Sequence, residues 1–335
     1  MNSEKVPSTL LLTEEDVRKV YQDDLSVALR IVEESFHKRM ENDVLMPDKI
    51  SQIFDEATQD RINCMPATLV SDKMCGVKWI SVFPGNPLEG LPNITGTIIL
   101  SEIRHGFPVS ILGASYLTSV RTAAIGATAA KYLSRPDAES IGFIGAGKEA
   151  RQHLDMVKIA RPGLKVCYVS SRRESTVESF IAEEQKKHPD LQFVPCGNDF
   201  EKATKDADII VTATSSQLQL LKASYVKKGA FYIHVGGFED EYAVPRKASK
   251  IVCDEWNSIK HRTQTISRMF KEGLLKDEDI YSDLGDIIAG RKAGRENDEE
   301  FIYFCSVGLP FIDVMFAKYT YEKARELKLG TEFNF

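Results

Sequence analysis

Residues 141–151, IGFIGAGKEAR, constrain this chain more than any other stretch. A short apolar run (Ile141, Phe143, Ile144) ends in Gly145-Ala146-Gly147, and Ala150 then opens a helix-like segment reaching Ile159. A G-x-G-x-x-G/A pattern is weak alone, but between a strand and a helix it acquires a mechanism. Gly145 permits a tight turn, Gly147 lets a diphosphate approach the backbone, and Ala150 is small enough for the helix to sit close on the sheet. The helix N-terminus adds unpaired N–H groups and a partial positive charge. The competing reading is a glycine-rich turn without a ligand. The context favours a dinucleotide held by Gly145, Ala146, Gly147 and Ala150.

From this motif onward the pattern is regular. Strands are expected at 140–145, 165–170, 191–195, 208–213, 230–236 and 250–254, and helices at 149–160, 174–187 and 199–206. Such alternation implies a parallel sheet covered on both faces. Helical segments are expected near 258–272 and 310–327, and residues 290–300 read as an exposed loop. Upstream, Thr13-Glu14-Glu15-Asp16 resembles a capping box, and an apolar stripe marks a helix from about Leu25 to Met40. Residues 62–115 carry short β-rich runs broken by Pro, Gly and Asn, which predicts an antiparallel or mixed sheet. An alanine-rich helix is expected from Thr118 to Leu133.

At 335 residues the chain has room for two domains. A net charge of −6 gives no electrostatic reason to expect nucleic acid or an anionic membrane. The first residues lack the basic and apolar regions of a secretion signal, and no run offers roughly 18 uninterrupted apolar residues. Six scattered cysteines form no C-x-x-C pair and have no histidine at metal spacing. A cytoplasmic protein with buried, reduced cysteines and no structural metal is the expectation.

The end of the second strand of a dinucleotide fold reads the adenosine ribose, an acidic residue selecting NAD and an arginine accommodating a 2′-phosphate. Here that place holds Ser170-Ser171-Arg172-Arg173, so NADP(H) is favoured over NAD(H). The fourth strand ends in Thr212-Ala213-Thr214, and the next in His234-Val235-Gly236-Gly237, whose glycines allow close approach to a flat ring. Two cations stand out upstream: Lys78 within the apolar GVKWISV, and Arg121 in SVRTAA. Lysine and arginine are rarely buried unless paired. Either Lys78 faces solvent and Arg121 meets an internal carboxylate, or the two form an anion clamp for a substrate carboxylate. Trp79, Phe83, Phe238, Tyr242 and Tyr303 are candidate lining residues for the substrate.

Taken together, GVKWI with Asn86-Pro87, SVRTAA, GFIGAGKEA, TATSS, HVGG and GRENDEEFIYFCSVGLPFIDV resemble the ornithine cyclodeaminase/μ-crystallin family from about residue 12 to the end. The resemblance implies an α/β protein with a Rossmann-type doubly wound parallel sheet over residues 122–314. A second α+β domain, for substrate binding and homodimer formation, would comprise residues 1–121 with 315–335. It implies that Lys78 and Arg121 bind a carboxylate and that Gly145, Gly147, Ala150, Thr212, Val235 and Gly308 contact the cofactor.

One departure matters. Ornithine-cyclising members carry an Asp directly after the two glycines, where this chain has Phe238, and an acidic residue where it has Asn63. Glu239 and Asp240 just beyond are the candidate amine partners. The segments RINCMPA, GVKWI and GTIILSE are closer to members that oxidise N-(2-amino-2-carboxyethyl)glutamate, and imine reductases and amino-acid dehydrogenases share the same step. The expected activity is therefore hydride exchange with the C–N carbon of a small amino acid or imine bearing a carboxylate. A cyclodeaminase-type ammonia lyase with internally recycled NAD and a non-catalytic μ-crystallin-like binding protein are the alternatives.

Overall fold

The structure, a computed structural model, describes residues 7–55 and 57–334. Residues 1–6, Glu56 and Phe335, all within the expected first domain, lie outside the described residues. In chain order the elements begin β1 (Thr9–Leu12), α1 (Glu14–Tyr21), α2 (Val27–Met40), β2 (Val44–Leu45), β3 (Ile50–Asp55) and β4 (Asp60–Leu69). They continue with β5 (Met74–Val82), β6 (Ile94–Glu102), β7 (Pro108–Gly113), α3 (Ser115–Leu133), β8 (Ser140–Ile144), α4 (Lys148–Ala160) and β9 (Val166–Ser170). Next come α5 (Glu174–Lys187), β10 (Gln192–Pro195), α6 (Phe200–Thr204), β11 (Ile209–Thr212), β12 (Phe231–His234), α7 (Ala243–Lys247) and β13 (Lys250–Cys253). The chain ends with α8 (Trp256–Ile259), α9 (Thr265–Lys271), β14 (Ser282–Asp283), α10 (Leu284–Ile288), β15 (Ile302–Cys305), α11 (Pro310–Glu326) and β16 (Thr331–Phe333).

Two compact units result: residues 1–121 with 309–335, and residues 122–308. The second division falls at 308/309 and not at 314/315. The reason is that α11 starts at Pro310 and packs along its length on β4, β5, β6, α1 and α2.

Unit 1 is a mixed eight-stranded sheet in the order β16-β1-β7-β6-β5-β4-β2, with β3 also paired to β4. The β1–β7 pair is parallel and the others antiparallel. Strand alternation puts Met65, Ala67, Leu69, Lys78, Ile80, Ile98, Leu100 and Leu112 on the inner face, buried with α11. Gly76 fixes how closely α11 settles, since a Cβ there would meet Val314 Cγ2 at 3.0 Å. The predicted capping box is present: Thr13 Oγ1 accepts from the Asp16 N–H, and Asp16 accepts from the Thr13 N–H. Helix α3 starts at Ser115, three residues before the expected Thr118. Glu14, distant in sequence, accepts from the Ser115 and Tyr116 N–H groups and so caps the first turn.

Unit 2 is an eight-stranded, all-parallel sheet in the order β10-β9-β8-β11-β12-β15-β13-β14. Every residue of β8, β11, β12, β13 and β15 is buried, as strands covered on both faces require. The order reverses between β8 and β11, which is the switch point where open α/β sheets bind ligands. Strand β15 was not anticipated; it inserts between β12 and β13. The expected helix at 258–272 is two helices, α8 and α9, and the break sets the Thr265 hydroxyl on Asp240.

All six thiols are free; four are buried, but Cys64 and Cys75 lie half-buried on β4 and β5. Among the described residues no helix is long and apolar enough to cross a membrane.

Candidate active site

In unit 1 the first alternative for the cations holds for Arg121, which meets an internal carboxylate, and fails for Lys78. Lys78 is not on a solvent face: it is 1% exposed, and Arg121 is 5% exposed. Lys78 Nζ donates to Asp313 Oδ1 at 2.7 Å and Arg121 Nε to the same oxygen at 2.8 Å. Two buried cations thus converge on a single carboxylate oxygen. Burying charge costs several kcal/mol per ion unless it is paired, so a pair of buried cations suits an anionic ligand. Asp313 Oδ2 is also enclosed and has no hydrogen-bond partner among the described residues. Asp313 was missed in the sequence, although a carboxylate inside the apolar run LPFIDVMFA was a signal that a buried cation would answer it. Trp79 does not line this cluster, because strand alternation turns it to the opposite face, where it is 44% exposed.

In unit 2 the glycine turn has the required form. Gly145 adopts φ +103, and a Cβ there would meet Ala213 O at 2.5 Å. Gly147 is exposed, forms the N-cap of α4 with no side chain capping it, and a Cβ there would meet nothing within 4 Å. Ala146 and Ala150 are buried. This open cradle at a helix N-terminus fits a diphosphate. At the end of β9, Arg172 and Arg173 are exposed, their guanidinium groups with no hydrogen-bond or ion-pair partner among the described residues, and Ser171 beside them is half-buried. Ser170 differs from expectation: it is buried and donates to Phe143 O, which ties β9 to β8.

The ends of β11 and β12 also depart from what their residue types suggested. Glu239 is fully buried and accepts from Thr212 Oγ1, Thr214 N, Thr214 Oγ1 and Gly236 N, at 2.6–2.9 Å. Four donors occupy a carboxylate's four acceptor positions, so Glu239 braces the strand ends and offers no free lone pair to an amine. Thr212 is likewise interior, bonded to Tyr232 and Glu239. Gly236 is needed by the same brace, because a Cβ would lie 2.4 Å from the Glu239 carboxylate; the close approach there is Glu239's own. Val235 is half-buried. Gly308, at φ +77, donates its N–H to the buried Asp254.

Asp240 is fully buried, accepting from Thr265 Oγ1, and His234 beside it bonds Tyr303 through Nδ1. Tyr303 is therefore core and not lining. Asp155, Glu184 and His188 group their ligand atoms within 4.8 Å, a cluster that sequence spacing did not suggest. Lys187 Nζ already bonds Glu184 and Asp155, so an internal cation occupies that charge.

These two sites are the setting for the comparisons with known proteins. The family model described as "Ornithine cyclodeaminase/mu-crystallin family" matches residues 8–328. The chain belongs to the ornithine cyclodeaminase/μ-crystallin family. It is 33% identical to an alanine dehydrogenase of Archaeoglobus fulgidus over 332 residues, 98% of each chain. It is 35% identical to a Δ1-pyrroline-2-carboxylate reductase of Bacillus cereus over 277 residues, 81% of this chain and 84% of the relative. Among solved structures, a Thermococcus litoralis Δ1-pyrroline-2-carboxylate reductase in complex with NADH and L-proline matches with TM-score 0.91 and 29% identity, covering 96% of this chain and 99% of that one. An archaeal alanine dehydrogenase dimer with bound NAD matches with TM-score 0.90 and 31% identity, over 98% and 100%.

Within this family frame the acidic pair after the glycines has a measurable role in stability. Burial pushes the Asp240 carboxyl up to about 8. An unfolded aspartate ionises near pH 4. The folded state therefore holds its proton where the unfolded state does not, and the Asp240 contribution falls as pH rises from about 4 to 8. Asp240→Asn removes this term. Its melting temperature should exceed that of the parent by about 3 °C or more at pH 8 and match it near pH 4. An equal difference at both pH values would rule the account out.

Proposed function

We propose that this chain is an NAD(P)-dependent oxidoreductase acting on the C–N bond of a small amino acid or imine that carries a carboxylate. The observation that carries this reading is the buried Lys78–Asp313–Arg121 cluster, in which two cations meet one carboxylate oxygen. When bound, a nicotinamide nucleotide supplies the hydride acceptor or donor. Gly145, Ala146, Gly147 and Ala150 hold its diphosphate, and Thr214, Val235 and Gly308 lie at the neighbouring strand ends. Arg121 forks onto the substrate carboxylate and Lys78 anchors it, its ammonium supplying a proton to the adjacent nitrogen. A protonated nitrogen makes the attached carbon a better hydride acceptor, so these two residues both aim and activate the substrate.

The relatives support a C–N substrate: their names give an alanine dehydrogenase and pyrroline-2-carboxylate reductases. The lyase alternative asks for a carboxylate where Phe238 stands; that ring packs under the Arg268 guanidinium at 4.1 Å and against Tyr242. Pyruvate with ammonia, and Δ1-pyrroline-2-carboxylate, each with NADH or NADPH, test the reading. Absorbance at ~340 nm should fall with amine formation, while ammonia release from ornithine at constant absorbance would sink it.

The exposed guanidinium groups of Arg172 and Arg173, without a partner among the described residues, support NADP(H) over NAD(H). Replacing both with alanine should raise the Kd for NADPH about tenfold or more and leave that for NADH within about threefold. Equal losses for the two nucleotides would place the arginines elsewhere in function. Trp79, Ile99, Ile50 and Phe54 are large apolar side chains exposed on unit 1, which supports a homodimer with a second copy covering them. Six free thiols fit a reducing, cytoplasmic setting.

A further inference from the structure

Two turns at the carboxyl edge of the parallel sheet use their N–H groups in opposite ways. Register sets Ile144, Thr212, His234 and Cys305 side by side, so the segments after β8, β11, β12 and β15 follow one edge. After β8 the cradle at Gly147 is open, with no side chain capping the helix that follows. After β15 the turn is closed from within. Asp254 Oδ2 accepts from Ser306 Oγ at 3.0 Å and from the Val307 and Gly308 N–H groups at 2.9 Å each. We infer that Asp254 is a positioning residue for the nicotinamide end of the nucleotide, holding this turn so that the Ser306 and Val307 carbonyls serve as acceptors for the ring carboxamide. The inference rests on the proposed function, in which a nicotinamide nucleotide binds at these strand ends.

Neighbouring strands build the brace. β13 lies beside β15, and the Asp254 N–H donates to Cys305 O at 3.0 Å, which brings the carboxylate to the turn. Asp254 is buried, and its other oxygen, Oδ1, accepts from the Glu255 N–H at 2.8 Å. Gly308 at φ +77 occupies the left-handed region, where successive N–H groups can converge on one anion. In a trans peptide the N–H and the C=O point in opposite directions, and the described peptide bonds are all trans. With the Val307 N–H on Asp254, the Ser306 carbonyl points away from it. The Gly308 N–H turns the Val307 carbonyl away in the same manner. Neither carbonyl meets a donor among the described residues. Glu239 does the same at the ends of β11 and β12, taking the Thr214 and Gly236 N–H groups.

The sheet order gives the direction of the nucleotide. β9, which ends at Arg172 and Arg173, and β11 flank β8 on opposite sides. With the adenosine over β9, the ring lies over the ends of β11, β12 and β15. There two buried carboxylates have taken four backbone N–H groups, those of Thr214, Gly236, Val307 and Gly308. What the turn after β15 has left to offer is carbonyl oxygen. An amide NH2 donates to such oxygens, whereas a carboxylate has no proton to give and is repelled by them. The turn thus distinguishes a carboxamide from a carboxylic acid on the ring, and Asp254 enforces the distinction without touching the ring. If the carboxylate were lost, the freed N–H groups would form the anion-accepting concavity that Asp254 now fills.

The test compares three probes on the full chain by calorimetry. They are NAD+, nicotinic acid adenine dinucleotide, in which a carboxylate replaces the carboxamide, and ADP-ribose, which lacks the nicotinamide. The parent should bind the nicotinic acid form about tenfold or more weakly than NAD+. Equal affinities in the parent overturn the inference. Asp254→Asn keeps the shape but sets an N–H donor against either the Glu255 N–H or the turn. It should weaken NAD+ about tenfold, leave ADP-ribose within about threefold of the parent, and bring NAD+ and its nicotinic acid form within about threefold of each other. Equal losses for NAD+ and ADP-ribose would show a merely structural role and overturn the inference, as would parental discrimination retained. Should the Asn variant not fold, Gly308→Ala strains the same turn at its φ of +77 and should weaken NAD+ about tenfold with ADP-ribose within about threefold; an equal loss of both overturns the inference. Failure of the functional reading is distinct, because the parent itself would then bind neither NAD+ nor ADP-ribose.

Discussion

Gly147→Asp is expected to leave the free protein as stable as the parent and to weaken nicotinamide-nucleotide binding about a hundredfold or more. The position tolerates a side chain, since its φ is −84 and a Cβ would meet nothing within 4 Å. Aspartate is moreover a favoured N-cap, accepting from the first N–H groups of a helix. Those are the donors a diphosphate would take, so the substitution satisfies them internally and sets a negative charge where the ligand's charge must lie. Like charges about 4 Å apart repel by roughly 4 kcal/mol near a protein surface, more than the ~2.7 kcal/mol that a hundredfold requires. Gly145→Ala is the contrasting control. Its φ of +103 and the 2.5 Å approach to Ala213 O predict a loss of melting temperature with or without ligand. Nucleotide affinity within about threefold of the parent in Gly147→Asp would mean that no diphosphate binds there.

The contrast also explains what the sequence could convey. Features set by neighbours in the chain were legible: the glycine turn, the capping box at Thr13, and the buried runs of β8 and β11 all arise from local periodicity and local backbone demands. Features set across the fold were not. The start of α3 depends on Glu14, some hundred residues earlier, and the interior position of Ser170 depends on a carbonyl of β8. Glu239 and Asp240 looked like free acids because an acidic loop is usually solvated, yet tertiary contacts bury both. Lys78 and Arg121 were visible as unusual cations, but their shared partner lay 235 and 192 residues away. In the site, then, residue types pointed to the charge that had to be answered, and only the fold showed which carboxylate answered it.

That charge accounting sets the expected result for Arg121→Ala. The substitution removes the guanidinium fork and keeps the Lys78–Asp313 pair, so the site loses its planar donors and one positive charge. A hydrogen bond to a charged group contributes about 1.5–3 kcal/mol, and loss of the net attraction adds to it. kcat/KM for the carboxylate substrate should fall about a hundredfold or more, which corresponds to ~2.7 kcal/mol of transition-state stabilisation. Arg121→Lys restores the charge without the fork and should recover part of the loss. Stability should follow a different order from activity. Arg121→Ala keeps the Lys78–Asp313 pair, whereas Asp313→Asn removes the carboxylate that both cations meet, and breaking a buried pair costs about 3–5 kcal/mol. The arginine variant is thus the more stable of the two and the less able to hold substrate, with NADH affinity within about threefold of the parent because the nucleotide residues belong to the other unit. A kcat/KM within about threefold of the parent would show that Arg121 serves Asp313 alone and that the substrate carboxylate is held elsewhere.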